Sequence, residues 1–338
     1  MSITIHDVAA HAGVSIATVS RVLNGTSPVS EAKRRSVLEA VDTLGYRPNP
    51  AARSLLKKRT GGLGVLLPYV SGEFFAELLN GLDRAAQNHA YFLVVSTSHR
   101  RPTEFKAAMR AMDRRVDGLV IMAPELDAHD AESILRSETP VAFINTYLDG
   151  LTPNGCVVEV LNFENFAGSY ALTQHLLETG HRRIALIRGP RGAGDARERA
   201  RGYRTAMAEA GLLDADALEF EGDYTQAAGY AAASRILETT PRPTAIMAPN
   251  GYCAMGVLSA LHGAGVDVPG AMAVTGFDGI TSARYTVPPL TTVRAPMRDL
   301  GLQAIDRLVT ILHGAPRAQA LRQSELPVSL EIRGSTGG

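Results

Sequence analysis

The stretch GVSIATVSRVLNG, Gly13 to Gly25, gathers the hydroxyls of Thr18 and Ser20, the guanidinium of Arg21 and the amide of Asn24 in one short segment. Such groups donate hydrogen bonds to phosphate oxygens, and a guanidinium also pairs with the acceptor edge of a base. Read as a helix that opens after Ser15 and is closed by Gly25, the segment turns Val14, Val19 and Val22 inward and Ile16, Ala17 and Arg21 outward. Two short apolar groups beside a cation suit the major groove, where apolar side chains meet thymine methyls. An ordinary small helical subdomain has the same spacing.

Charge bears on that choice. The 338 residues carry no formal net charge, yet residues 1–60 hold nine Lys or Arg against four Asp or Glu, and the remainder carries the matching acidic excess. A basic head on an acidic body is an electrostatic footprint for a polyanion. Other chemistries find less support. Cys156 and Cys253 match no metal-ligand spacing, and no Ser-His-Asp constellation is evident. The glycine-rich GGLGVLLP precedes its strand, where a dinucleotide loop would follow it. No cofactor and no metal is therefore expected, and the chain does not read as an enzyme. No apolar run nears the roughly 20 residues of a membrane span, and the N-terminus lacks the marks of an export signal, so no membrane partner and a cytoplasmic location are expected.

The elements that must position these groups follow from caps and periodicity. Thr4 and Asp7 form a variant capping box for a first helix, Ser15 caps the second, and a third runs from Ser30 to Gly45 with Val37, Ala40, Val41 and Leu44 on one face. Asn49 and Pro50 permit a fourth, short helix over about 50–58, too short to persist without packing. From Gly62 the apolar runs LGVLLP, YFLVVST, DGLVIMAP and PVAFIN alternate with helical stretches, and RRIALIRGP, ALEFEGD, TAIMAPN and AMAVTGFD repeat the alternation. That is the mark of βαβ units on parallel sheets. The expected fold is thus an all-α helix-turn-helix head over 1–60 and a two-lobed α/β core over 61–338, with two doubly wound parallel sheets. Lobe 1 is expected over about 61–160 plus about 293–320, and lobe 2 over about 163–291 plus the C-terminal segment. Open sheets bind ligands beyond the carboxyl ends of their strands, so two facing lobes enclose a cleft.

TIHDVAAHAGVSIATVSRVLNG, LGYRPNPAARSL, GHRRIALIRGP, RPTAIMAPN, AVTGFDG and PPLTTVRAP, together with the terminal RGST, resemble the lactose-repressor (LacI) family of transcription regulators over nearly the whole chain. The resemblance implies a periplasmic-binding-protein-like core that senses a small effector, and a homodimer whose heads bind a palindromic double-stranded operator. It assigns base reading to Ile16, Ala17 and Arg21, with Thr18, Ser20 and Asn24 at phosphates. In the hinge helix Arg53 adds charge, and Leu55 matches the leucine that wedges into the minor groove. In the core it implies effector contacts from Ser71, Phe74, Phe75, Asn145, Arg199, Tyr224, Asn250 and Asp278.

Three departures stand out. Gly251 and Gly279 replace carboxylates common in the family, and Glu164 stands where Asp is usual, which leaves open a more acidic effector or a reshaped loop. Two other classes share parts of this pattern: a stand-alone solute-binding protein, which would need export and no basic head, and a doubly wound enzyme. No leucine heptads follow residue 316, so a dimer is expected over a tetramer.

Overall fold

The computed structural model describes residues 3–25, 28–47, 59–124, 126, 128–135, 139–148, 158–212, 218–314 and 322–337. They fall into two units, divided between Gly61 and Gly62.

In the first unit, α1 (Ile5–Ala12) opens on its capping box: the Thr4 backbone N–H and hydroxyl both donate to Asp7 Oδ2, at 2.8 and 2.7 Å. These bonds hold the Asp7 carboxyl below the ordinary carboxylate range. Gly13, at φ +62°, ends α1 in the left-handed conformation that glycine adopts without strain. At the start of α2 (Ile16–Asn24) the Ser15 hydroxyl accepts the Thr18 N–H at 3.2 Å. The third helix, α3 (Glu31–Leu44), is tied back to α1 by a bond from Ser36 Oγ to the Ala12 carbonyl at 3.0 Å. Val8, Ala9, Val19, Val37 and Ala40 are the buried centre, with Val14, Val22, Val41 and Leu44 packed around them. The expected hinge helix, with Arg53 and Leu55, lies outside the described residues.

The second unit holds two six-stranded sheets. The first comprises β1 (Gly62–Leu67), β2 (Phe92–Thr97), β3 (Gly118–Ile121), β4 (Val141–Ile144), β5 (Val158–Phe163) and β11 (Arg322–Leu326), in the order β11-β5-β4-β3-β1-β2 and parallel throughout. The second comprises β6 (Ile184–Ile187), β7 (Glu219–Phe220), β8 (Ala245–Met247), β9 (Ala273–Gly276), β10 (Thr291–Arg294) and β12 (Ser329–Glu331), in the order β12-β10-β9-β8-β6-β7, with only β12 antiparallel. Helices α4 (Glu73–Asn88), α5 (Pro102–Met112) and α6 (Ala128–Leu135) follow strands of the first sheet. Those of the second are α7 (Asn165–Glu178), α8 (Gly194–Glu209), α9 (Gln226–Leu237) and α10 (Gly251–Gly263). The last helix, α11 (Met297–Leu312), returns to the first lobe, where Leu300, Ala304 and Leu308 join the core around Leu63 and Val65. Strands β1, β3 and β4 are buried along their whole length, as sheets covered on both faces require, which is why they read as unbroken apolar runs.

The lobe boundaries differ from expectation near the C-terminus. Residues 293–294 belong to β10 and complete the second sheet, while Arg322–Leu326 pairs with β5 in the first. An edge strand held by backbone bonds needs no apolar pattern, and RQSEL has none. Among the described residues no helix is long and apolar enough to cross a membrane.

Helices α9 and α10 meet backbone to backbone at two points. A Cβ at Gly256 of α10 would lie 1.9 Å from the Gln226 carbonyl of α9, and one at Gly229 of α9 would lie 2.1 Å from the Cys253 carbonyl of α10. Gly256→Ala is therefore expected to push α9 from α10 and lower core stability by about 1–3 kcal/mol. Gly263→Ala, on the same helix but facing open space, should leave stability unchanged or slightly raised. Urea melts of the two variants check the contrast.

Candidate functional site

On α2 the burial follows the expected helix face. Val19 is fully buried, Val14 and Val22 are half-buried, and Ile16, Ala17 and Arg21 are exposed. The nine residues of α2 include no acid, so nothing on this helix repels a polyanion. The Thr18 hydroxyl lies 3.0 Å from that of Ser15, within the cap, and Ser20 is half-buried. For Asn24 only the backbone is described.

In the core, strand ends of both lobes converge on a cleft of about 490 Å³. Lobe 1 supplies Ser71, Phe74 and Phe75 after β1 and Asn145 after β4, and lobe 2 supplies Arg199 from α8, Tyr224 ahead of α9, Asn250 after β8 and Asp278 after β9. All eight residues expected at an effector site line this one cleft. Arg100, Asp195, Asp223 and Tyr252 line it too and were not anticipated. Asp195 had a signal available: it precedes Arg199 by four residues and so shares its helix face.

Arg199 organises the floor. Its side chain is buried, and each nitrogen has an acceptor: Nε donates to Asn165 Oδ1 at 2.9 Å, Nη1 to the Pro249 carbonyl at 2.6 Å and Nη2 to Asp278 Oδ1 at 3.0 Å. The guanidinium lies 3.8 Å from the centroid of the Phe277 ring. Burial pushes the Asp278 carboxyl up, with the Arg199 charge pulling against it. The amide of Asn250 is likewise engaged: its oxygen caps α10 at the Cys253 N–H, 2.8 Å, and its nitrogen donates to the Tyr224 carbonyl at 3.1 Å. The Tyr224 hydroxyl is buried near Asp195, and burial together with the Asp195 carboxylate holds it well above the ordinary phenol range.

Backbone conformation marks the same place. Asn145, Tyr224 and Asp278 have φ of +45°, +74° and +78°, a region costly for residues with a Cβ, and all three line the cleft. The two glycines that depart from the family pattern sit in tight surroundings. A Cβ at Gly279, φ +67°, would lie 2.7 Å from Arg294 Cα, and one at Gly251 would lie 2.7 Å from Ile280 Cδ1. At Gly279 the positive φ and the Arg294 backbone exclude a larger residue, whereas at Gly251 a larger residue requires the Ile280 side chain to move.

The lobes are bridged on two sides of the cleft. On one side the Glu73 N–H donates to Tyr252 Oη at 2.7 Å, and the Glu73 carboxylate accepts the Ser282 N–H at 3.1 Å. On the other, Asn145 Nδ2 donates to Asp195 Oδ2 at 3.1 Å and the Gly194 N–H to the Pro124 carbonyl at 3.2 Å.

Comparison with known proteins places this geometry. Residues 4–49 match the model for bacterial regulatory proteins, lacI family, and residues 173–336 that for a periplasmic binding protein-like domain. Catabolite control protein A of Priestia megaterium is 33% identical over 99% of this chain and 100% of its own. A lac repressor dimer bound to operator and the anti-inducer ONPF aligns with a TM-score of 0.88 at 30% identity, over 99% of each chain. The complex of the transcriptional regulator CelR with cellobiose aligns with a TM-score of 0.73 at 30% identity, over 98% of this chain and 99% of that one.

The buried pair supplies a test of the floor. Asp278→Ala would leave the Arg199 charge buried without its carboxylate and is expected to cost about 3–5 kcal/mol of core stability, whereas Asp223→Ala, which loses only exposed bonds to Thr225, should cost about 1 kcal/mol. Chemical denaturation of both variants measures the difference.

Proposed function

The chain belongs to the lacI family of bacterial regulatory proteins, and we propose that it is a ligand-responsive repressor that binds a palindromic operator as a dimer and senses a small sugar-like metabolite. The carrying observation is that α2, free of acids, presents Ile16, Ala17 and Arg21 to solvent in a chain whose core encloses a lined cleft. Its work is regulation of transcription, not catalysis, and a DNA-binding regulator of this family acts in the cytoplasm.

Cleft chemistry narrows the effector. Asp195, Asp223 and Asp278 outnumber Arg100 and Arg199, and Arg199 is already compensated by Asp278. Hydroxyl donors suit such a floor and a ligand carboxylate does not, while Phe74, Phe75 and Tyr224 offer faces to the apolar side of a sugar ring. An uncharged polyol is therefore favoured over the more acidic effector that the sequence left open. A dimer is favoured by the apolar edge of the first sheet, where Phe92, Val94 and Val95 of β2 are exposed. In this reading the hinge, with Arg53 and Leu55, folds on the operator, and a change in the angle between the lobes alters its helix equilibrium.

Arg21→Ala is expected to cost about 1–3 kcal/mol on an operator selected from random duplexes and much less on unselected DNA. Equal losses in a binding titration would make Arg21 a phosphate contact. A thermal-shift screen should find its stabilising ligands among neutral sugars, and Phe75→Ala should weaken that ligand about tenfold while leaving operator affinity in place. Stabilisation by sugar acids alone would overturn the neutral assignment.

A further inference from the structure

A helix leaves the N–H groups of its first turn without partners of its own. Two helices that begin at the cleft satisfy theirs locally: the Thr225 hydroxyl accepts the Ala228 N–H of α9 at 3.1 Å, and Asn250 caps α10 at Cys253. Helices α4 and α8 and the 3₁₀ turn Thr281–Arg284 follow Gly72, Ala193 and Ile280, none of which caps with a side chain. Within α8, Asp195 accepts the Ala196 N–H at 2.8 Å and leaves that of Gly194. In all three cases the opposite lobe supplies an acceptor. Tyr252 Oη takes the Glu73 N–H that opens α4, and the Pro124 carbonyl takes the Gly194 N–H that opens α8. The Glu73 carboxylate takes the Ser282 N–H with its two oxygens, at 3.1 and 3.3 Å.

Around Glu73 the exchange is reciprocal. Lobe 1 gives the first N–H of α4 to a hydroxyl of lobe 2 and returns a carboxylate to an N–H of lobe 2. A capping box has the same reciprocity within one helix, whereas this one is split between two bodies. The fit depends on Gly72, φ +89°, where a Cβ would lie 2.9 Å from Tyr252 Cε2 and 3.0 Å from its Oη. These bonds join protein atoms only, so they act on the lobes whatever the cleft holds. Parting the lobes would expose the N–H groups of Glu73, Gly194 and Ser282 to water together, and water replaces such bonds at a modest net loss. That strength biases two bodies without locking them. We propose that Glu73 and Tyr252 form a latch between the lobes that sets the balance of their open and closed arrangements.

A ligand that favours one arrangement works with this bias or against it, so the latch sets the concentration at which the chain responds. That consequence rests on the cleft being the effector site proposed above. Lobe motion itself is measurable on the protein alone, so a failed latch leaves the effector reading intact, and the reverse holds.

Hydrogen exchange of the full chain without ligand, resolved to single amides, tests the latch. Glu73→Ala removes the acceptor of the Ser282 N–H, and Tyr252→Phe removes the acceptor of the Glu73 N–H while keeping a ring against Gly72. Each should speed exchange about fivefold at Gly194, which is bonded to neither and bridges the lobes on the other side of the cleft. Tyr252→Phe should speed exchange at Ser282 as well, and Glu73→Gln, which keeps an acceptor oxygen, should recover most of the protection lost in Glu73→Ala. The amides of β3 and β8, inside the two sheets, should be unchanged. Acceleration confined to the amide that lost its own acceptor makes these bonds local caps and overturns the latch. Acceleration that extends to β3 and β8 also overturns it, because it reports lost stability in place of lobe motion.

Discussion

The buried guanidinium of Arg199 is the constraint around which the core is arranged. A cation removed from water must find acceptors, and here it finds them on three separate segments: Asn165 at the start of α7, the Pro249 carbonyl after β8 and Asp278 after β9. Two of these segments adjoin passages of the chain between the lobes. Asn165 follows the first passage directly, and the Asp278 carbonyl accepts the N–H of Ala295, in the second, at 3.3 Å. The charge therefore fixes the floor of the cleft next to two of the passages that join the lobes. The unusual backbone of Asn145, Tyr224 and Asp278 is held by the same packing, at positions where an unconstrained chain would relax.

Much of this was legible in the sequence where local physics decides. The caps at Thr4 and Ser15, the glycines that end α1, α2 and α3, and the unbroken apolar runs of β1, β3 and β4 each depend on a few neighbouring residues. Strand β11 was not legible, because an edge strand that pairs through its backbone leaves no apolar trace in RQSEL. The cleft was legible through resemblance and less so through chemistry. The eight expected residues do meet, but residue types alone could not reveal that Asn250 is occupied as a cap or that the Arg199 guanidinium has an acceptor at every nitrogen. Nor could they show Glu73 joining Tyr252 to Ser282, a contact that spans over two hundred residues of chain.

The departures at Gly251 and Gly279 show how a family pattern can mislead when read as chemistry alone. A missing carboxylate suggests a changed ligand, yet Gly279 is closed to a side chain by the Arg294 backbone, and a side chain at Gly251 would first have to displace Ile280. Asp195 meanwhile brings a carboxylate to the cleft from α8. Acidity in the cleft is thus a property of the assembled floor and not of any one motif.

The chain passes between the lobes three times, after β5, after β10 and after β11, and each passage is only a few residues long. Adjacent passages are bonded to each other, since the Glu164 N–H donates to the Leu326 carbonyl at 3.1 Å. Three short parallel tethers work as a door is hung: they suppress twist and sliding and leave one angle free. A ligand of any shape can then report only through that angle. The surface that recognises a metabolite can accordingly change residue by residue while the mechanical output stays the same, which lets one scaffold serve many chemical signals.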